Sequence, residues 1–365
     1  MKNSYTLRVT RYTSKNKCIS RVTRYASRVT AVTLLTAYCL LLTVLCSCSP
    51  KKESLYRKTM ILMDTLVTIH VVADSEKTAD TAVTGAFEEI GKLDTLLNFF
   101  SDKSEVSMIN RNAGVSGVRV SPETFEVIEK AVYASEKSGG AFDATVGPES
   151  SLWNFVTKVK PGDKAIREKL GLVNYKLIVL DQENLTVELR KKGMVMDLGA
   201  IAKGYAADRA VGVLKRHGIK SGLVAVAGDI RAFGLKQDGK PWRVGIRNPR
   251  QKGKDDEILA TIEIRDMAIS SSGDYERFFV IDGERFHHIL DPRTGYPARS
   301  CQSVSIMAQD GASADSFSTA VFVLGPQKGM ELLQQMGFEG LIVDKEGKIH
   351  ITPGIKDKIE FKRTT

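Results

Sequence analysis

Acidic residues are missing from the first 47 positions, which carry eight basic ones (Lys2, Arg8, Arg11, Lys15, Lys17, Arg21, Arg24 and Arg28). Cysteine is scarce too: five in 365 residues, with Cys18, Cys39 and Cys46 in the first 47, Cys48 just after them and then only Cys301. No apolar run is long enough for a confident membrane span, since Ala31 to Leu45 is shorter than the roughly 20 residues a spanning helix needs. A basic stretch, an apolar stretch and small residues around Cys46-Ser47-Cys48 together predict a secretory leader over 1–47. The cysteine at the cut predicts a bacterial lipoprotein acylated on Cys48, with Cys46 the weaker site behind bulky Leu45. An uncleaved anchor helix is the alternative.

These absences exclude several classes. Removing the eight leader charges from the formal +10 leaves +2, so no basic field for nucleic acid remains. With Cys48 acylated, Cys301 has no partner, and an internal disulfide framework is excluded. Stability must come from a hydrophobic core, which about 310 residues can build. Arg-Val-Thr-Arg-Tyr occurs at 8–12 and 21–25 but forms no core pattern, and 1–47 is left outside the fold. No long repeat or low-complexity linker divides the rest.

What is present reads as a polar tether over 48–58, then one domain over 59–365. Thr65 to Val72 alternates as a strand, and residues 76–97 carry apolar side chains at helical spacing. Ser121-Pro122 opens a helix that Gly139-Gly140 stops. Strands are predicted at 175–180, 186–190, 194–198, 222–227, 242–246, 258–264, 278–281, 302–308, 340–344 and 348–351. Helices are predicted at 164–171, 204–217, 312–324 and 326–336. The class is α+β with mainly antiparallel sheet and flanking helices, as a single domain or two interleaved lobes.

Several stretches carry chemistry. Met194 to Ala206 reads strand, small-residue turn, helix, with Lys203 beside backbone N–H groups that suit an anion. A plain structural turn is the alternative. Ala141-Phe142-Asp143 opens a polar turn in which Asp143 either faces a ligand or bonds its own backbone. Asp315 and Thr319, one helical turn apart, supply hard oxygens that suit magnesium, unless Asp315 is a helix cap. His288 is either a packed histidine or a proton carrier. It precedes the turn Asp291-Pro292-Arg293-Thr294-Gly295. Ser270 to Arg277 reads as a solvated, hydroxyl-rich loop.

Each stretch is weak alone, but their order is specific. Met63-Asp64-Thr65, Ala141 to Pro148, Asp197 to Gly204, Ala227-Gly228-Asp229-Ile230, Ser272-Gly273-Asp274-Tyr275, the His288 strip, and Asp315 with Thr319 form a series that resembles the FAD:protein FMN transferase (ApbE) family over nearly all of 60–352. The resemblance implies transfer of FMN from FAD to a Thr or Ser of an exported target flavoprotein, such as a respiratory-complex subunit or a reductase, with release of AMP. It implies magnesium as cofactor and FAD as substrate. It also implies a lipid-anchored protein facing the periplasm, with no nucleic-acid partner.

By the same resemblance, FAD contacts fall on Met63, Phe100, Ala141, Phe142, Asp143, Asp197, Lys203 and Ile289. Magnesium ligands fall on Ala200 (backbone oxygen), Asp315 and Thr319, and His288 assists proton transfer. This chain departs from the family at Asp64 and Ala227, where Gly is frequent, at Phe100 for Tyr, and at Ala200 for Thr or Ser. Two other readings use the same residues: an FAD pyrophosphatase giving FMN and AMP, and a non-catalytic flavin-binding lipoprotein. The second is disfavoured by the Asp315–Thr319 pair and His288, which a carrier does not need.

Overall fold

Alternation along Thr65–Ala73 sends Val67, Ile69 and Val71 to one face of a sheet and Val72 to the other. That split sets the layers. In the computed structural model, which describes residues 53–250 and 257–362, eight strands form one antiparallel sheet. Its order is Ser54–Leu62, Thr65–Ala73, Ser221–Val226, Asp229–Phe233, Ala268–Gly273, Cys301–Ala308, Glu339–Asp344, Ile349–Ile351. Helices cover the Val67 face. A three-stranded sheet of Trp242–Arg247, Ile258–Ile264 and Ile359–Phe361 contributes Trp242, Val244, Ile262 and Ile264 to the apolar cluster on the Val72 face. The α+β class and the mainly antiparallel sheet are as expected, and residues from Glu53 onward form one unit rather than two lobes.

The helices obey their local signals. Ser75 caps Glu76–Leu97 by accepting from Thr78 N at 3.2 Å, and its buried stripe runs from Ala79 through Ile90 to Leu97. Ser121 caps Pro122–Lys137 in the same way. Helices Ala202–Arg216 and Gly311–Leu324 cross backbone to backbone at Gly204 and Gly311. A Cβ on Gly204 would sit 2.1 Å from Gly311 O, so only glycine fits. Asp208 ties the crossing by accepting from Gly311 N at 2.7 Å and Ala312 N at 3.0 Å.

Three expectations are corrected. Residues 54–58 are not tether: Ser54–Leu62 pairs along its whole length with Thr65–Ala73. Its alternation is illegible because most of the strand is exposed on both faces. Residues 194–198 are not a strand, since only Val195 makes a bridge, to Val146, while Asn110 clamps Met196 through its N–H (2.7 Å) and carbonyl (2.9 Å). Ser270 to Gly273 is not loop but the end of a central strand. Its hydroxyls are paired: Ser271 with Ser305 (2.7 Å) and Ser272 with Ser318 (2.7 Å). The leader with Cys48 lies outside the described residues.

Candidate active site

The sheet, the crossing helices and the polar turns converge on one cavity of about 940 Å³. That is the upper end of the size range for small-molecule sites. Every residue nominated from the sequence as a flavin, metal or proton-transfer residue lines it: Met63, Phe100, Ala141, Phe142, Asp143, Asp197, Ala200, Lys203, His288, Ile289, Asp315 and Thr319.

Two of the nominated turns lie side by side. Gly147 N donates to Val195 O (3.1 Å) and Asp197 N donates to Ala144 O (2.8 Å). The Asp143 carboxylate holds this layer together rather than facing a ligand alone. Its Oδ1 accepts from Thr145 N (2.8 Å) and Thr145 Oγ1 (2.7 Å), and its Oδ2 accepts from Tyr175 N (3.0 Å). Burial raises its pKa in spite of those three bonds. Asp143 thus bonds its own turn and Tyr175, and it also lines the cavity. Asp197 accepts from Gly199 N at 2.9 Å through Oδ1; burial raises its pKa, and the Gly199 bond and Arg277 pull the other way.

At the inner end, Lys203, from the first turn of its helix, pairs with Asp229 at 2.5 Å and lies 4.0 Å from Asp315. Burial pulls the Lys203 pKa down, but the two carboxylates outweigh it and the ammonium is held charged. Asp229 also accepts a hydrogen bond from Ser270. Asp315 is buried and accepts from Gly204 N at 3.1 Å. It is not a helix cap: Asp310 caps Gly311–Leu324 by accepting from Ser313 N at 3.0 Å. Burial first, and Asp229 second, raise the Asp315 pKa. Thr319 Oγ1 lies 3.2 Å from Ser272 Oγ.

Ala200, Asp315 and Thr319 thus bring a backbone carbonyl, a carboxylate and a hydroxyl to one cavity. These hard oxygens suit magnesium. Among the described residues no three of His, Cys, Asp and Glu come together as a ligand group. A cation here would therefore depend on the backbone and hydroxyl oxygens as well as on Asp315.

Two adjacent histidines behave oppositely. His287 is buried with both ring nitrogens occupied, Nε2 by Ala298 O (2.7 Å) and Nδ1 by Ile289 N (3.3 Å). His288 lines the cavity, and its Nδ1 has no partner. Burial, then the Arg277 charge, push its pKa down to about 3. Its ring is therefore neutral at neutral pH, with its proton affinity held low by burial and the Arg277 charge.

The outer end is aromatic. Trp153 stacks near Phe155 and Phe286, and its Nε1 donates to Gly295 O at 3.0 Å, which anchors the turn after His288. Phe100 stands at the rim, 81% exposed and edge-on to Phe99. The Met63-Asp64 turn is left-handed at both residues and is pinned by Asp94 accepting from Met63 N (3.0 Å). Ala227 sits in a second hairpin turn at φ 54°, the conformation that favours glycine.

Sequence reasoning missed Asp229, Ser272, Trp153 and Arg277 as cavity residues. Asp229 had a signal, a carboxylate directly after a small-residue hairpin turn. Ser272 had only its place in the motif series, because its strand reads as loop.

Fold and cavity together define an α+β protein with a dinucleotide-sized cleft, acidic and lysine-bearing at one end and aromatic at the other. Residues 63–342 match the sequence model of the ApbE family, and the chain belongs to that family. It is 35% identical over 325 residues to a FAD:protein FMN transferase of Treponema pallidum, covering 83% of this chain and 88% of that one. It is 32% identical over 283 residues to a FAD:protein FMN transferase of Klebsiella pneumoniae, covering 77% and 86%. The fold matches the ApbE protein of Thermotoga maritima with a TM-score of 0.75 at 35% identity, over 82% of this chain and 98% of that one. It also matches the flavin transferase ApbE of Vibrio cholerae with a TM-score of 0.74 at 26% identity, over 84% and 99%.

Proposed function

We propose that this protein is an FAD:protein FMN transferase. It moves FMN from FAD to a Thr or Ser hydroxyl of an exported flavoprotein and releases AMP. We further propose that it is a lipoprotein anchored through Cys48 and facing the periplasm, with the folded unit from Glu53 onward as the catalytic domain. The names of its relatives support the reaction, and the leader composition supports the export. One observation carries the reading: residues from 63 to 319 in sequence, nominated in advance, line a single cavity.

The chain's own groups fit the chemistry. The acceptor hydroxyl oxygen attacks the riboflavin-side phosphorus, the P–O–P bridge opens, and AMP leaves with the bonding pair. His288, neutral and on the cavity wall, takes the hydroxyl proton, its low proton affinity raised by the negative charge of the bound diphosphate. Lys203, held by Asp229, contributes fixed positive charge beside the diphosphate. Ala200, Asp315 and Thr319 would hold magnesium, which when bound neutralises charge on the diphosphate. Phe100 and the Trp153 cluster offer apolar surface to the rings.

The test incubates the full-length protein with FAD, magnesium and an exported target bearing an acceptor Thr. Flavin fluorescence on the denatured target is expected. Free FMN with AMP and no labelled target would replace the proposal with hydrolysis. Unchanged FAD would leave a carrier.

A further inference from the structure

The charge of the cavity is unbalanced for a ligand that carries a diphosphate. Its lining holds seven carboxylates and two cations, Lys203 and Arg277. Lys203 is committed: Asp229 takes it at 2.5 Å and Asp315 lies 4.0 Å away. Arg277 is not. It is exposed, and among the described residues its guanidinium makes no hydrogen bond or ion pair. Its near neighbours are different: Arg247 meets Glu276, while Arg250 and Arg285 both meet Asp274.

The position of Arg277 is nevertheless fixed. It follows the strand Ala268–Gly273 by a short bend, and its carbonyl accepts from His288 N at 3.1 Å. That bond ties the bend to the His288 strip on the cavity wall. From there its charge is felt by Asp197, Lys203 and His288, the three groups that surround the middle of the cleft. A rigid backbone under an uncommitted guanidinium is the arrangement that recognises a phosphate, because the planar fork can give two parallel N–H bonds to two oxygens.

We infer that Arg277 is a diphosphate-binding residue: its guanidinium engages the phosphate oxygens of the dinucleotide between Lys203 and His288. The inference rests on the reading of the cavity as an FAD site. It assigns the binding of the dianionic bridge to a residue at the end of a stretch whose sequence reads as a solvated loop. Its expected role is to offset the carboxylates when FAD enters and to hold the bridge as AMP departs.

The experiment titrates FAD, ADP and riboflavin into the full-length wild-type protein and into Arg277→Ala and Arg277→Lys, followed by fluorescence or calorimetry. Removing a charged hydrogen-bond donor should weaken FAD and ADP by about tenfold to a hundredfold, and leave riboflavin within about twofold. Arg277→Lys should recover part of the loss, because the charge survives and the fork does not. Thermal unfolding of both variants should match wild type, which separates binding from folding. FAD affinity in Arg277→Ala within twofold of wild type overturns the inference. So does an equal loss for riboflavin, since the side chain would then act on the ring. Wild-type protein that binds FAD in an Arg277-dependent way but transfers no flavin supports the inference while refuting the transferase reading. Normal transfer with an unaffected Arg277→Ala does the reverse.

Discussion

The inner and outer ends of the cavity are built differently. The inner end hangs on the crossing of Ala202–Arg216 and Gly311–Leu324, where Gly204 touches Gly311 and Asp315 bonds Gly204 N. Its polar groups are mutually bonded, from half-buried Lys203 through buried Asp229 to Ser270. The outer end is a satellite of Trp153, Ile166, Phe279, Phe286 and Leu290, separate from the main core. It carries the unpartnered groups: His288 Nδ1, both oxygens of Glu149, and exposed Phe100. A preorganised inner end suits charge stabilisation, which needs groups that do not move. A loosely bonded outer end suits admission of two ligands of different shape.

The largest expected effect is at the inner end. Asp315→Ala should lower transfer by about a thousandfold or more, as loss of metal-assisted charge stabilisation implies, while FAD still binds. Single-turnover assays with magnesium as the only metal check this, and full activity would remove Asp315 from the ligand set. Next, His288→Ala should cost about a hundredfold to ten-thousandfold in rate, with FAD affinity little changed. A rate within twofold of wild type would take proton transfer away from His288.

Gly204→Ala attacks the helix crossing itself. The added Cβ meets Gly311 O at 2.1 Å and Asp315 Cβ at 2.8 Å, so about 3 kcal/mol of stability should be lost. Equal denaturation midpoints for variant and wild type would contradict the close crossing.

The outer end gives a pH test. Glu149 is fully buried with neither oxygen bonded, and burial, then Asp143 and Asp291, push its pKa from 4.5 up to about 8. The folded value lies above the unfolded one, so the stability of the neutral form is full below about pH 4.5 and is lost as pH rises through about 8. Glu149→Gln should therefore be near neutral at pH 4, stabilise by roughly 2 kcal/mol at pH 6 and by about 4–5 kcal/mol at pH 9. An unchanged pH slope in denaturant titrations would show that Glu149 ionises freely. The smallest effect is expected at Ala227→Gly, where relief of the left-handed backbone and the added chain entropy nearly cancel, to within about 1 kcal/mol.

Helices were the most legible elements, because caps and apolar stripes are local. Residues 76–97 were bounded correctly from the Ala79–Leu97 spacing alone. Edge and polar strands were not: Ser54–Leu62 buries too little to alternate, and Ala268–Gly273 ends in serines whose partners lie on other elements. The site was legible as a set of residues, but the division of labour within it was not. Asp143 looked as chemical as Asp197, yet its hydrogen bonds tie it into its own turn and to Tyr175.

The sequence by itself determined the family, the layered class and the list of residues that meet at the cavity, because motif order and apolar periodicity are properties of the chain alone. Only the tertiary structure decided which groups remain uncommitted. Which backbone group Asp315 bonds, whether Lys203 or Arg277 is the unpaired cation, and which histidine keeps a free nitrogen depend on partners 11 to 111 positions away. Hydrogen bonding and burial act through space, and no local pattern records them.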